Sequence, residues 1–284
     1  MSSFAEQWLR LREPYDHAAR SGVLASRFSA RLGGSAQVID LACGTGSNLR
    51  YLSPRLGPRQ TWLCFDFDAA LLAAGARQIA SWADARGLAH QSPGERLHLR
   101  GKQAAIDIAL IRRDLGDPRR GFSLEGATAL TASAFLDLVS AAWLDALIHR
   151  IVPRRLPCLF ALTYDGRLEW WPRAADDARL GERFNAHQQS DKGFGAALGP
   201  TAALYLARRL EERGYRVETC SADWRLDAAD RPLIEAFLDG FALAIRESDA
   251  DGPLPAWLAL RRGQLEAGVL RLTVGHQDVL ALPQ

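Results

Sequence analysis

Cysteine is scarce in this sequence, and what there is has no pairing pattern. Four residues stand at Cys43, Cys64, Cys158 and Cys220, and no two share a Cys-x-x-Cys spacing. Neither a thiolate zinc site nor a thioredoxin-type redox pair is indicated. Isolated cysteines with apolar flanks pack as small core residues in a reducing compartment. An excess of one charge is also missing. Thirty-five Lys and Arg stand against 33 Asp and Glu, a formal net charge of +2, so composition announces no nucleic-acid and no membrane-surface partner. No apolar run is long enough to span a bilayer. The N-terminal "MSSFAEQWLRLREPYDHAARS" is charged and amphipathic and lacks the apolar centre of a signal peptide, so a cytoplasmic location is expected. Internal repeats and low-complexity linkers are absent too, which favours one domain.

What is present suffices for a large core: 284 residues, 48% of them hydrophobic. The spacing predicts a helix over residues 3–13, opened by a Ser3–Glu6 capping box, and a second over 15–32. "QVID" reads as a buried strand and "SNLRYL" as a helix stopped by Pro54. "TWLCFDFD" is a second strand, followed by an Ala-rich helix that Asp68 caps. "RLHLRG" and "IDIALIRRDL" read as a hairpin. "GATALTASA" and "PCLFALTYDG" are further strands with a helix between them. Residues 167–199 read as a partly irregular insertion of the kind that builds lids and substrate loops. Residues 230–246 form an amphipathic helix, either a packing face or a homodimer interface. Strands alternating with helices predict an α/β fold. We expect a doubly wound, mostly parallel seven-stranded sheet with helices on both faces. Residues 1–34 form an N-terminal helical cap, 35–166 the core, 167–199 the insertion, and 200–284 the completion of the sheet with a helical insert at 228–267.

The junction "QVIDLACGTGSNLRYL" raises the chemical question. It lacks the Lys-Ser/Thr pair that a phosphate-binding P-loop requires after its last glycine. It also lacks the third glycine of a dinucleotide-binding turn, since that position is Leu49. Asp40 ahead of the turn would repel a pyrophosphate. A ligand without phosphate suits it better. "VIDLACGTG" resembles motif I of the class I S-adenosylmethionine-dependent methyltransferases. About twenty residues on, "FDFDAALL" resembles the acidic end of that family's second strand, the spacing a ribose-binding acid has in dinucleotide folds, and "RRDL" resembles its position after the third strand. The likeness covers residues 37–165 and the terminal strands.

That resemblance implies S-adenosyl-L-methionine as cofactor. It places Asp40 near the amino-acid end of the ligand, Asp66 on the ribose hydroxyls, and Asp114 and Leu115 at the adenine. Glycines at 44 and 46 let a ligand approach the backbone without a Cβ clash. Ala42, Cys43, Asn48, Phe67 and Ser133 complete the implied cofactor set. Arg12 or Arg20 is expected to meet the ligand carboxylate, on charge alone.

The substrate side is less marked. The family's subclasses that methylate nucleic-acid amino groups, pyrimidine carbons or arsenite need motifs that "TASAFLD" and the scattered cysteines do not supply. Asp137 has no partner acid for a metal, and no metal is expected. The expected acceptor is a small molecule carrying an oxygen or nitrogen. Candidates that bind it are Trp8, Tyr15, Asp137, Trp170, Asn185, Gln188, Asp191 and Lys192. His187 is the natural base, since its reference pKa of about 6.5 suits proton removal near neutrality. Tyr164 and Asp165 stand at a strand end, where ligands lie in open α/β sheets. His276 and Cys158 read as structural. A non-catalytic adenosylmethionine-binding module and a nicotinamide-dependent oxidoreductase are the alternatives.

Overall fold

A computed structural model describes residues 2–92, 94–246 and 252–284, with side chains from residue 6 onward. The Ser3 capping box therefore lies outside the described side chains. Helix α1 spans Ser2–Ala19 and runs through Pro14. The expected break near that proline instead falls at Arg20–Ser21, where the Ser21 hydroxyl accepts Leu24 N and caps α2 (Gly22–Leu32). Tertiary contacts explain the difference. Beyond Pro14, Tyr15 Oη donates to Asp230, Asp16 accepts from Trp224 Nε1, and His17 Nε2 lies 3.1 Å from Ser47 O. These bonds hold the last turns helical despite the missing N–H of the proline.

The chain then gives β1 (Ser35–Leu41), α3 (Ser47–Leu52), β2 (Arg59–Asp66) and α4 (Ala69–Ala85). Asp68 caps α4 as expected, accepting Ala70 N and Leu71 N. Strands β3 (Ala89–Gln91), β4 (Arg96–Arg100), β5 (Ala105–Arg112) and β6 (Ala129–Ser133) follow, the predicted hairpin being β4–β5. Next come α5 (Ala141–Ile151), β7 (Cys158–Trp171), α6 (Asp177–Gln188) and α7 (Ala202–Glu211). The chain ends with β8 (Tyr215–Ser221), β9 (Trp224–Asp227), α8 (Arg231–Arg246), α9 (Leu254–Glu266) and β10 (Arg271–Pro283).

One sheet runs β3-β4-β5-β2-β1-β6-β7-β10-β8, with β9 pairing β10. The five central strands from β5 to β7 are parallel, and antiparallel pairs extend both edges. Ten strands among the described residues replace the expected seven. The short β3 and its partner β4 add to one edge, and residues 215–227 divide at Ala222–Asp223 into two strands that both pair β10. Residues 167–199 are also more regular than expected. Strand β7 continues to Trp171 because β10 pairs it as far as Arg271, and α6 follows almost at once.

Helices cover both faces. On one side α5 and α7 pack Trp143, Leu147 and Leu206 against the sheet; on the other, α2 and α4 contribute Phe28, Leu72 and Ile79. A third core joins α6, α8 and α9 to the β7 extension, β9 and β10. The buried Asp278 on β10 ties distant parts together. One of its oxygens accepts Leu162 N on β7 and the other accepts Ser21 N at the α1–α2 break. No helix of the described residues is long and apolar enough to cross a membrane.

Candidate cofactor and substrate site

Strand order reverses around β1, whose neighbours are β2 and β6. Open α/β sheets bind ligands at such a point, beyond the carboxyl ends of the strands. A cleft of about 340 Å³ lies there. The turn after β1 forms its floor. Gly44 and Gly46 both have positive φ, +53° and +80°. A Cβ on Gly46 would meet Ile79 of α4 at 3.0 Å, and one on Gly75 would meet the Thr45 backbone at 3.1 Å. These two glycines thus bring α4 onto the turn, the packing role a third glycine would have had. Two alanines with φ near +50°, Ala42 and Ala134, end β1 and β6 on either side of the cleft. Such conformations are uncommon for non-glycine residues and gather at functional sites.

Two carboxylates dominate the cleft. Asp40 is fully buried, and its Oδ1 accepts Asn48 Nδ2 at 2.7 Å. Asn48 is fixed in turn by Arg20, whose Nη1 donates to its Oδ1 at 2.7 Å, and by Thr131 at 3.1 Å. The Oδ2 atom of Asp40 is buried with no hydrogen-bond partner among the described residues. Burial pushes the Asp40 carboxyl up to about 7, against the opposing pull of Asn48 and Arg20. Asp66 ends β2. Its Oδ2 accepts Gly44 N at 2.8 Å and its Oδ1 accepts Asp68 N at 3.0 Å. Burial raises its pKa, and the backbone amides oppose the rise. Each oxygen keeps a further lone pair. Beside it Phe67 is 71% exposed, a large apolar ring left at the mouth. Asp114 is turned by Gly116 N at 2.8 Å, and the loop is pinned where Trp143 Nε1 donates to Leu115 O.

Helix α1 closes the cleft from above. Leu9 approaches Gly44, Arg50 donates to Glu13, and His17 meets Ser47. Arg12 lines the cleft, held by Asp16 at 2.9 Å and stacked over Trp224 at 4.8 Å. Arg20 lies behind the cleft, its guanidinium 4.0 Å from the Tyr51 ring centroid.

The structure brings together Asp40, Ala42, Cys43, Gly44, Asn48, Asp66, Phe67, Asp114, Leu115, Ser133 and Arg12 of the expected cofactor set. Gly46 is the exception, since it caps α3 and faces α4. Sequence reasoning missed Leu9, Thr45, Leu71, Phe135, Leu138 and Phe194 as wall residues. Phe135 and Leu138 follow the carboxyl end of β6, so the strand-end rule contained them. Phe194 carries no local signal.

The expected substrate and catalytic residues do not converge on one point. Tyr164 donates to Asn185 Oδ1 at 2.7 Å, and Asn185 also bonds Gly166 O. Asp165 is paired with Arg167, which also holds Asp223. Tyr15 is committed to Asp230. Trp170 is buried against Trp257, ring centroids 5.0 Å apart. Asp191 turns inward to accept Gly193 N and Gly195 N. Tyr15, Tyr164 and Trp170 are thus tied to partners on other elements, and Asp165 and Asp191 to close neighbours in the chain. Asp137 is different. Its Oδ1 is buried without a partner among the described residues, and burial lifts its pKa to about 6. Lys192 reaches the cleft, and with His187, Gln188 and Trp8 it also lines a second hollow between α1, α6 and α8. His276 is buried between Tyr164 and Trp224, its Nδ1 unpartnered among the described residues rather than satisfied as a structural histidine was expected to be. Cys158 is buried in the core as expected.

Fold and cleft together define an α/β protein with an acid-lined site at the switch point of its sheet. Neither a family model nor a curated protein matches the chain. Among solved structures it is similar to YjhP from E. coli (12% identity, TM-score 0.47, 98% of this chain and 99% of that one). It is similar to a SAM-dependent methyltransferase from Geobacter sulfurreducens in complex with S-adenosyl-L-homocysteine (14%, 0.44, 94% and 92%). It is also similar to geranyl diphosphate C-methyltransferase from Streptomyces coelicolor (12%, 0.43, 92% and 79%). Likeness at this level says nothing about activity, which has to be read from the cleft itself.

Proposed function

We propose that this chain is an S-adenosylmethionine-dependent methyltransferase acting on a small-molecule oxygen or nitrogen acceptor. The observation that carries the reading is the unpartnered, buried Oδ2 of Asp40 on the floor of a cleft whose mouth holds a second acid. A buried carboxylate in want of a donor suits an ammonium group. Asp66, with lone pairs remaining on both oxygens, suits a ribose diol. The exposed Phe67 ring and the buried Leu115 suit the two faces of an adenine, with Asp114 at its amino edge. Arg12 suits the ligand carboxylate. A pyrophosphate-containing dinucleotide suits this site poorly, because both acids would repel it.

When bound, adenosylmethionine supplies a methyl group on a positively charged sulfur, open to in-line displacement by an acceptor lone pair. This chain's residues would hold the donor, align the acceptor and exclude water. Helix α1 provides the exclusion. A protonated acceptor needs a base, for which His187 and Asp137 are the candidates, while Tyr164 and Asn185 form one bonded unit beside Asp137.

Calorimetric titration of the full chain with S-adenosylhomocysteine and, separately, NADH tests the proposal. Binding of the first and not the second is expected. The reverse result would replace methyl transfer with a nicotinamide chemistry. Cofactor binding without product from any acceptor would leave a non-catalytic binding module.

A further inference from the structure

The cofactor cleft has two unlike ends. Asp40, Asp66 and Asp114 stand where β1, β2 and β5 finish, and each suits a part of the cofactor. Past the end of β6 the walls are Phe135, Leu138 and Phe194, which suit none of its polar groups. Three rings stand almost perpendicular there. Phe135 meets Trp143 and Phe194 edge to face, with centroids 5.3 Å away in each case, and Trp143 and Phe194 are 6.0 Å apart. Aromatic pairs prefer this geometry, so a further ring would find edges and faces already placed. Phe135 and Trp143 are buried, while Phe194 and Leu138 keep part of their surface toward the cleft. The loop of Phe194 holds it in place. Asp191 Oδ1 accepts Gly193 N at 2.7 Å and Gly195 N at 3.0 Å, one on each side of the ring, and Ala197 bridges Ser140 just before α5.

One polar group belongs to this end. Asp137 lies between Phe135 and Leu138 on the same turn, and its Oδ1 is buried without a partner among the described residues. The amides of Asp137 and Tyr164 and the guanidinium of Arg12, itself a wall of the cleft, act on the carboxyl. A shielded acceptor oxygen is costly unless a donor reaches it. A phenolic O–H is such a donor and makes a short, strong bond to a carboxylate. Net charge on the ligand suits this end poorly. Asp16 holds Arg12 through both Nε and Nη2, and Lys192 Nζ lies 3.4 Å from the His187 ring nitrogens, so both cations have partners. An anion would also face Asp16, Asp40, Asp66 and Asp114. A cation would face the cofactor's sulfonium.

We propose that the part of the cleft beyond β6 is the acceptor subsite, and that it takes an uncharged phenol whose ring lies against Phe194 and Leu138 and whose hydroxyl donates to Asp137. Phe194 then sets which ring systems enter. The proposal rests on the methyl-transfer reading for its place beside the cofactor, though not for its binding, and the two are separable by experiment.

The probes are 2-naphthol, its methyl ether 2-methoxynaphthalene, and 2-naphthoate. Each is measured by equilibrium dialysis at pH 7 against the full chain, with and without saturating S-adenosylhomocysteine. The wild type is expected to bind 2-naphthol at least tenfold more tightly than either of the others. Asp137→Asn keeps the shape and exchanges one acceptor oxygen for a donor, and is expected to bring 2-naphthol and its ether within threefold of each other. Phe194→Leu keeps an apolar wall and removes the ring. It is expected to weaken 2-naphthol at least fivefold while moving S-adenosylhomocysteine affinity less than threefold. No 2-naphthol binding to the wild type, equal binding of 2-naphthoate, a preference untouched by Asp137→Asn, or an affinity untouched by Phe194→Leu would overturn the subsite. Binding of 2-naphthol by a chain that does not bind S-adenosylhomocysteine would support the subsite and overturn methyl transfer.

Discussion

Asp40→Asn isolates the group on which the cofactor reading turns. The variant is isosteric, and its amide oxygen can still accept Asn48 Nδ2. In the wild type the carboxyl is raised from 3.8 to about 7 by burial. A folded-state pKa above the unfolded one means the folded chain holds its proton longer. That contribution to stability is full below about pH 4 and is lost as pH rises toward 7. Three units correspond to about 4 kcal/mol, at about 1.4 kcal/mol per unit, as an upper bound. Between pH 5 and pH 8 roughly two of those units act, or about 3 kcal/mol. Asparagine has no proton to lose. The ligand-free variant should therefore gain on the wild type between pH 5 and pH 8 by several degrees of melting temperature, at about 2 °C per kcal/mol for a chain of this size. Its affinity for S-adenosylhomocysteine at pH 8 should fall by one to two orders of magnitude, because the ligand ammonium loses its counter-charge. Differential scanning calorimetry at the two pH values and titration calorimetry at pH 8 read both effects. A melting-temperature gap that stays constant with pH, together with wild-type affinity, would refute the assignment of Asp40.

Other expectations follow from the same geometry. Asp66→Ala should weaken adenosylmethionine binding by one or two orders of magnitude; unchanged affinity would move the ribose elsewhere. Gly75→Leu should drive α4 off the Thr45 backbone, lowering both the melting temperature and cofactor affinity, and a variant as stable as wild type would contradict the close approach. His187→Ala should lower turnover while sparing S-adenosylhomocysteine binding, and full activity would remove His187 from the mechanism.

The cofactor side of the site was legible because its signals are local. In "VIDLACGTGSNL" the strand, the left-handed turn and the helix start lie within a dozen residues, and Asp66 follows by strand spacing. The substrate side was hidden because partners distant in sequence decide it. Trp170 looked like a loop residue until β10, a hundred residues later, drew it into a strand. Tyr15 looked available, but Asp230, far along the chain, claims it. Phe194 and Leu9 become walls only when α1 and the loop after α6 fold over the strand ends, and no periodicity encodes that. The left-handed backbone at Ala134 has no sequence mark either, since alanine is compatible with many conformations.

The bond from Ser21 N to Asp278 has a mechanical meaning. It fastens the foot of the cap helix to the interior of the sheet, at the point where α1 gives way to α2. Leu9, in the middle of α1, lies over the cleft against Gly44. The bonds of Glu13 to Arg50, Tyr15 to Asp230 and Asp16 to Trp224 fasten the same helix to other parts of the fold, so the cap is riveted to the sheet along its second half and not at a single point.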